Sequence, residues 1–68
     1  MNSMSKLIKV GKSIFNSENI KAIRPNMWFN SYTIEVYLNN NEEKIENFDT
    51  KDDRDEEMQR LYKIIGDK

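Results

Sequence analysis

The stretch Tyr32–Leu38 constrains the fold of this chain most, because its side chains alternate strictly between two sets that would point to opposite faces of a strand. One set is largely apolar: Tyr32, Ile34, Val36 and Leu38. The other set is Thr33, Glu35 and Tyr37. A period of two in β-branched and aromatic residues is typical of a half-buried strand. This is the longest such run in the sequence, so we place it at the centre of a small sheet.

Three shorter strands are predicted before it, over 6–10, 13–15 and 20–24. The first two flank Gly11-Lys12, where glycine at the first central position suits a type II′ hairpin turn. Pro25 then either ends the third strand or marks a sheet edge, because proline has no backbone donor.

A last strand is predicted over 43–48, after a turn at Asn39-Asn40-Asn41, since asparagine tolerates the left-handed backbone of tight hairpins. Ile45 and Phe48 are three positions apart, so in a regular strand their side chains would point to opposite faces. We therefore expect either a bulge or a Phe48 that already turns towards the next element.

The sequence ends in a predicted amphipathic helix. Thr50 is a suitable N-cap, Asp53 three residues later forms a variant capping box, and Gly66 is a natural stop. Helical spacing gives one apolar stripe, formed by Met58, Leu61, Tyr62 and Ile65.

These elements predict an α+β fold, a small antiparallel β-meander of four to five strands with one C-terminal α-helix packed on one face. A single domain is expected over 6–66, with a disordered N-terminus at 1–5 and a tail at 67–68. One helix covers only part of one sheet face, so we expect a homo-oligomer or a partner protein to shield the other face or an edge.

Composition argues against most catalytic chemistry. The 68 residues contain no cysteine and no histidine, which removes disulfides, thiolate metal sites and the commonest metal ligand. We therefore expect no enzyme activity, no cofactor and no metal site. The sequence has no apolar run long enough for a membrane span and no signal peptide, which together with the lack of cysteine favours a soluble cytoplasmic protein.

Charge is distributed unevenly along the chain. Residues 1–34 carry five basic residues and one acid, whereas 35–68 carry six basic residues and eleven acids. Acids at a helix start are common for electrostatic reasons, so a solvated helix face is the ordinary interpretation. The alternative is an acidic inhibitor surface that imitates nucleic acid, with Asp52, Asp53 and Glu56 as its candidates.

The segment Met27-Trp28-Phe29 is the most unusual feature, because three large apolar residues are predicted in a loop between two strands. Either Trp28 or Phe29 folds back to close the core, or the tip forms an interface together with Tyr32. A third possibility is single-stranded nucleic-acid binding, with Lys9, Lys21 and Arg24 as the basic candidates and aromatic side chains stacking on bases.

Several fold-setting stretches resemble a known group of proteins. They include residues 7–11, 15–23, 34–40 and the Phe48-Asp49-Thr50 entry into the helix. The chain is similar in outline to the flagellar FlbD-like proteins and to other small bacterial and phage meander-plus-helix proteins, which implies the fold and no catalytic motif. Met27-Trp28-Phe29 departs from that outline. We therefore expect a bacterial or phage accessory protein that acts by self-association and partner binding.

Overall fold

The computed structural model describes residues 6–65 of the chain, which form five strands, a short 3₁₀ helix and one α-helix. The strands are β1 (Leu7–Val10), β2 (Ser13–Asn16), β3 (Ile20–Trp28), β4 (Ser31–Leu38) and β5 (Glu43–Phe48). The 3₁₀ helix Ser17–Asn19 joins β2 to β3, and α1 (Lys51–Ile65) follows β5. The predicted α+β class is confirmed. The predictions for 1–5, Gly66 and 67–68 lie outside the described residues.

The five strands divide into two antiparallel sheets. β3, β4 and β5 form a three-stranded meander with β4 at its centre, as the sequence predicts. β1 and β2 pair only with each other. They form a separate hairpin that folds over the meander and does not extend it.

The core lies between the meander, the helix and the β1–β2 hairpin. Ile34 and Val36 of β4 are completely buried, and Met58 and Leu61 of α1 pack against them. The hairpin supplies the remaining buried apolar residues, Ile8, Val10 and Phe15. The hairpin and the helix therefore cover this face together. The sequence predicted that the helix alone would cover it.

β3 is longer than predicted and runs straight through Pro25 to Trp28. It is an edge strand, so a proline whose missing N–H faces the free edge breaks no ladder hydrogen bond. The prediction that Met27-Trp28-Phe29 lies in a loop is therefore wrong for Met27 and Trp28. Only Phe29 and Asn30 form the turn between β3 and β4.

The other turns follow the predicted backbone chemistry. Gly11 has φ +60° and Asn41 has φ +70°, the left-handed conformations that their positions require. β5 pairs with β4 without a register shift, with Ile45 and Phe48 on opposite faces. No bulge is needed there, and the one register irregularity of the meander falls between Ile20 and Ala22.

The helix begins as predicted, since the Thr50 hydroxyl accepts a hydrogen bond from the Asp53 N–H at 3.0 Å. Its buried stripe is narrower than predicted. Met58 and Leu61 are buried, whereas Tyr62 and Ile65 are exposed. Within residues 6–65, no helix combines the length and the hydrophobicity needed to cross a membrane.

Candidate functional site

The meander has two faces with different surroundings. Its core face packs on the helix and the hairpin. The opposite face, here called the open face, has no helix or strand of residues 6–65 over it. Strand alternation and pairing place these residues on the open face: Ala22, Arg24, Asn26, Trp28, Ser31, Thr33, Glu35, Tyr37, Glu43, Ile45 and Asn47.

Glu35 organises the open face. Its carboxylate accepts hydrogen bonds from Tyr37 Oη at 2.5 Å, from Asn26 Nδ2 at 2.7 Å and from Trp28 Nε1 at 3.3 Å. The hydrogen bonds from Tyr37 and then Asn26 lower the pKa of Glu35 below its ordinary value. The same bond from Tyr37 raises the pKa of that phenol. Glu35 is 3% exposed, and this burial raises its pKa by less than either of those two hydrogen bonds lowers it.

The indole of Trp28 explains how this face becomes partly buried without a covering element. Trp28 pairs with Ser31, but its Nε1 reaches Glu35, two rows further along the strands. The indole therefore spans the intervening row, which contains Asn26 and Thr33. Thr33 is 1% exposed, and its hydroxyl has no hydrogen-bond partner within residues 6–65. The outer part of the ring faces solvent, and Trp28 as a whole is 52% exposed.

Phe29 is the most exposed large apolar residue of the described chain. It is 92% exposed and has φ +56° at the first central position of the β3–β4 turn. A bulky residue in this conformation is an outlier, because glycine normally occupies such a position. The backbone is therefore strained at the residue that projects furthest into solvent.

The four residues predicted as a single partner-binding tip divide between different surfaces. Met27 and Tyr32 pair on the core face, Trp28 lies on the open face and Phe29 forms the turn. Tyr32 is half-buried, with the Arg54 guanidinium 5.6 Å from its ring centroid. Met27, Trp28 and Phe29 remain exposed at one end of the meander, and we call these three residues the aromatic end.

The predicted acidic candidates Asp52, Asp53 and Glu56 are all exposed on α1. Two neighbouring acids instead make ion pairs. Asp55 binds Lys51 at 2.8 Å and Arg54 at 2.9 Å, with Lys51 as the larger cause of a lowered Asp55 pKa.

Glu57 is the second of these paired acids, and it joins the helix to the hairpin. It binds Arg60 at 2.7 Å, which lowers the Glu57 pKa, and also accepts the Gly11 N–H at 3.0 Å. Two acids of the helix, Asp55 and Glu57, therefore form contacts within the fold.

The predicted nucleic-acid candidates are not brought together. Lys9 alternates with buried Ile8 and Val10, so it projects from the outer side of the hairpin, which covers the core face. Arg24 lies on the open face, where its guanidinium is 5.6 Å from the Tyr37 ring centroid. Lys21 is exposed at the register irregularity of β3. These three charges do not form one basic surface.

Sequence reasoning missed the role of Glu35. The available signal was an acid in the middle of an otherwise apolar and aromatic strand, which is costly unless donors surround it. It also missed an apolar groove of about 950 Å³ between the C-terminal half of α1, β1 and β3. Tyr62 and Ile65, predicted as buried, line this groove instead.

Within the described residues, no group of three or more histidine, cysteine, aspartate or glutamate side chains is placed to hold a metal ion. Comparison with family models, curated proteins and solved structures gives no match to this chain. The resemblance to the flagellar FlbD-like proteins therefore stays a prediction.

Proposed function

We propose that this chain is a non-enzymatic protein-interaction module that binds a partner protein through the aromatic end. The observation that supports it is Phe29, which is 92% exposed and held at φ +56°. Both features are unfavourable in the isolated chain, and residues in strained conformations cluster at binding sites. Glycine or asparagine would suit the turn better, so the phenyl ring is explained by a use outside the fold.

The geometry favours binding in two ways. Phe29, Trp28 and Met27 belong to the residue types enriched at the buried centres of protein interfaces. The hydrogen bond from Trp28 to Glu35 also fixes the indole before a partner arrives, which reduces the ordering cost of binding. The partner surface that fits is an apolar cleft that accepts the phenyl ring and contacts the exposed part of the indole.

The module acts as an accessory or regulatory protein in the cytoplasm of a bacterium or phage-infected cell, and it also self-associates. The lack of cysteine suits a reducing compartment. The absence of histidine and cysteine supports a role without catalysis.

Site-specific photo-cross-linking tests this function. A photoreactive amino acid replaces Phe29 in the cells that naturally make the chain, and the control carries it at Asn40, an exposed residue in the turn at the opposite end of β4. We expect one discrete adduct with another protein from position 29, none from position 40, and loss of the adduct in Trp28→Ser. No adduct, or the same adducts from both positions, would contradict the proposal.

A further inference from the structure

The two outer edges of the meander differ in their free hydrogen-bonding groups. The Leu38 N–H donates to the Glu42 carbonyl at 2.8 Å, and with the β4–β5 register this sets which β5 residues bond to β4. Alternation then directs the backbone N–H and C=O groups of Glu43, Ile45 and Asn47 away from β4. None of these groups has a hydrogen-bond partner within residues 6–65. We call these outward groups the β5 edge.

The opposite edge, on β3, is closed to strand addition. Pro25 has no N–H to offer, and the Met27 N–H already donates to Asn26 Oδ1 at 2.8 Å. The register irregularity between Ile20 and Ala22 disrupts the other end of the same edge. Proline and irregular pairing are the usual means by which proteins block edge pairing, and β5 contains neither.

We propose that β5 pairs antiparallel with the β5 edge of a second copy of this chain, about a two-fold axis at Ile45. In this register each Ile45 exchanges backbone hydrogen bonds with its counterpart, and Glu43 does so with Asn47 of the second copy. All outward groups of the β5 edge are then satisfied. This deepens the self-association part of the proposed function and does not depend on the aromatic end.

Charge selects this register over its neighbours. It places Lys44 directly across from Glu46 of the second copy, and the two-fold axis repeats that pair. Neither residue has an ion-pair partner within residues 6–65. Moving the two-fold axis by one residue would set Lys44 against Lys44, or Glu46 against Glu46, and like charges directly opposite each other destabilise a sheet.

The surroundings of β5 leave this edge accessible. The tip of the β1–β2 hairpin contacts β5 through the Glu46 carboxylate, which accepts hydrogen bonds from the Ser13 hydroxyl at 2.5 Å and the Lys12 N–H at 3.1 Å. These contacts use the side chain on the core face and not the outward backbone groups. Ile45, which is 44% exposed on the open face, meets its counterpart across the axis.

The dimer would carry two aromatic ends, since each β3 lies at an outer edge of the combined sheet. A module of this kind could bind two copies of a partner at once, and the linked sites would raise the overall affinity.

A charge-exchange experiment tests the pairing. Analytical ultracentrifugation over a range of concentrations should show wild-type chains approaching twice the 8.2 kDa chain mass. Lys44→Glu should be largely monomeric at concentrations where wild type is dimeric, because four acids then face one another across the axis. Lys21→Glu makes the same charge change on β3 and should dimerise like wild type. Mixing Lys44→Glu with Glu46→Lys should restore a heterodimer, because every facing pair is again of opposite charge.

Amide exchange provides a second readout that is specific to the edge and does not require a substitution. The N–H groups of Ile45 and Asn47 should exchange several-fold more slowly at high concentration, whereas that of Ile23 on the β3 edge should not change. A wild-type monomer throughout, equal effects of Lys44→Glu and Lys21→Glu, or a mixture of the two variants that stays monomeric although both are folded by circular dichroism would overturn the proposal. If the dimer is absent and the cross-linked adduct from position 29 still forms, only the dimer proposal fails. If the dimer forms and the adduct does not, only the partner-binding proposal fails.

Discussion

Trp28 donates its indole N–H to the Glu35 carboxylate at 3.3 Å although Trp28 is 52% exposed. An exposed tryptophan is therefore fixed by a nearly buried acid, in a network that also contains Asn26 and Tyr37. The aromatic end is an ordered part of the meander and not a loose loop.

Acid should weaken the fold partly through Glu35. Its pKa is lower in the folded chain than in the unfolded chain, so its stabilising contribution is complete above the ordinary glutamate value of about 4.3. That contribution is lost as the pH falls through the lowered, folded-state value. Thermal unfolding between about pH 6 and pH 2 should show a fall in Tm that is smaller in Glu35→Gln than in wild type.

The effect of Glu35 can be separated from that of the other acids. Asp55 and Glu57 also have lowered pKa values, so Glu35→Gln should retain part of the acid-dependent loss. Glu42→Gln removes an exposed carboxylate that accepts no hydrogen bond within residues 6–65, and its pH profile should match wild type. Parallel profiles of Tm against pH for wild type and Glu35→Gln would show that the Glu35 network contributes nothing to the loss of stability in acid.

Phe29→Gly should not destabilise the isolated chain. Relief of a positive φ is worth roughly 1–3 kcal/mol, and the added freedom of glycine in the unfolded chain costs roughly 0.5–1 kcal/mol. The free energy of unfolding, measured with urea, should therefore be unchanged or rise by up to about 2.5 kcal/mol. A loss of more than about 1 kcal/mol would mean that the phenyl ring stabilises the fold, which would remove the main support for an interface.

Gly11→Ala should destabilise the hairpin for two separable reasons. Gly11 has φ +60°, and an added Cβ would lie 2.7 Å from Glu46 Oε1 and 3.1 Å from Glu46 Cβ. The expected loss in the free energy of unfolding is about 2–3 kcal/mol. In a Glu46→Ala background the contact with Oε1 disappears and the contact with Cβ remains, so the loss should fall to about 1–2 kcal/mol, measured as a double-mutant cycle. Equal losses in both backgrounds would argue against the contact with Glu46.

Alanine substitutions of Leu61 and Tyr62 should reduce stability by very different amounts, although both residues belong to the stripe that the sequence predicts as buried. Leu61 is completely enclosed, so Leu61→Ala leaves a cavity and should cost about 2–5 kcal/mol in chemical denaturation. Tyr62 is exposed beside the apolar groove, and Tyr62→Ala should cost less than about 1 kcal/mol. Similar losses would place Tyr62 in the core and would contradict the packing described here.

Local patterns predicted most of the elements because each depends on neighbouring residues. The alternation of Tyr32–Leu38, the left-handed turn at Asn41 and the Thr50 cap all needed only a few adjacent positions. The length of β3 was missed because the effect of Pro25 depends on whether its strand lies at an edge, which is a tertiary property.

For the candidate site, the sequence identified unusual residues but not their arrangement. Met27, Trp28 and Phe29 stood out as unusual, but their division between two faces and a turn depends on strand pairing. The Glu35 network requires donors from three separate positions, Asn26, Trp28 and Tyr37, and their convergence follows from the β3–β4 register. The place of the β1–β2 hairpin over the meander also depends on distant contacts, such as those of Glu46 and Glu57.

The most direct test of the interaction role is the affinity of the protein recovered by cross-linking at position 29. Its Kd should be measured for wild type, for Phe29→Gly and for Asn41→Gly, which introduces the same residue at the other non-glycine position of positive φ within residues 6–65. We predict at least a tenfold weaker Kd for Phe29→Gly, as expected for loss of an aromatic anchor, and an unchanged Kd for Asn41→Gly. Equal affinities for all three chains would contradict the proposal that the aromatic end is the binding site.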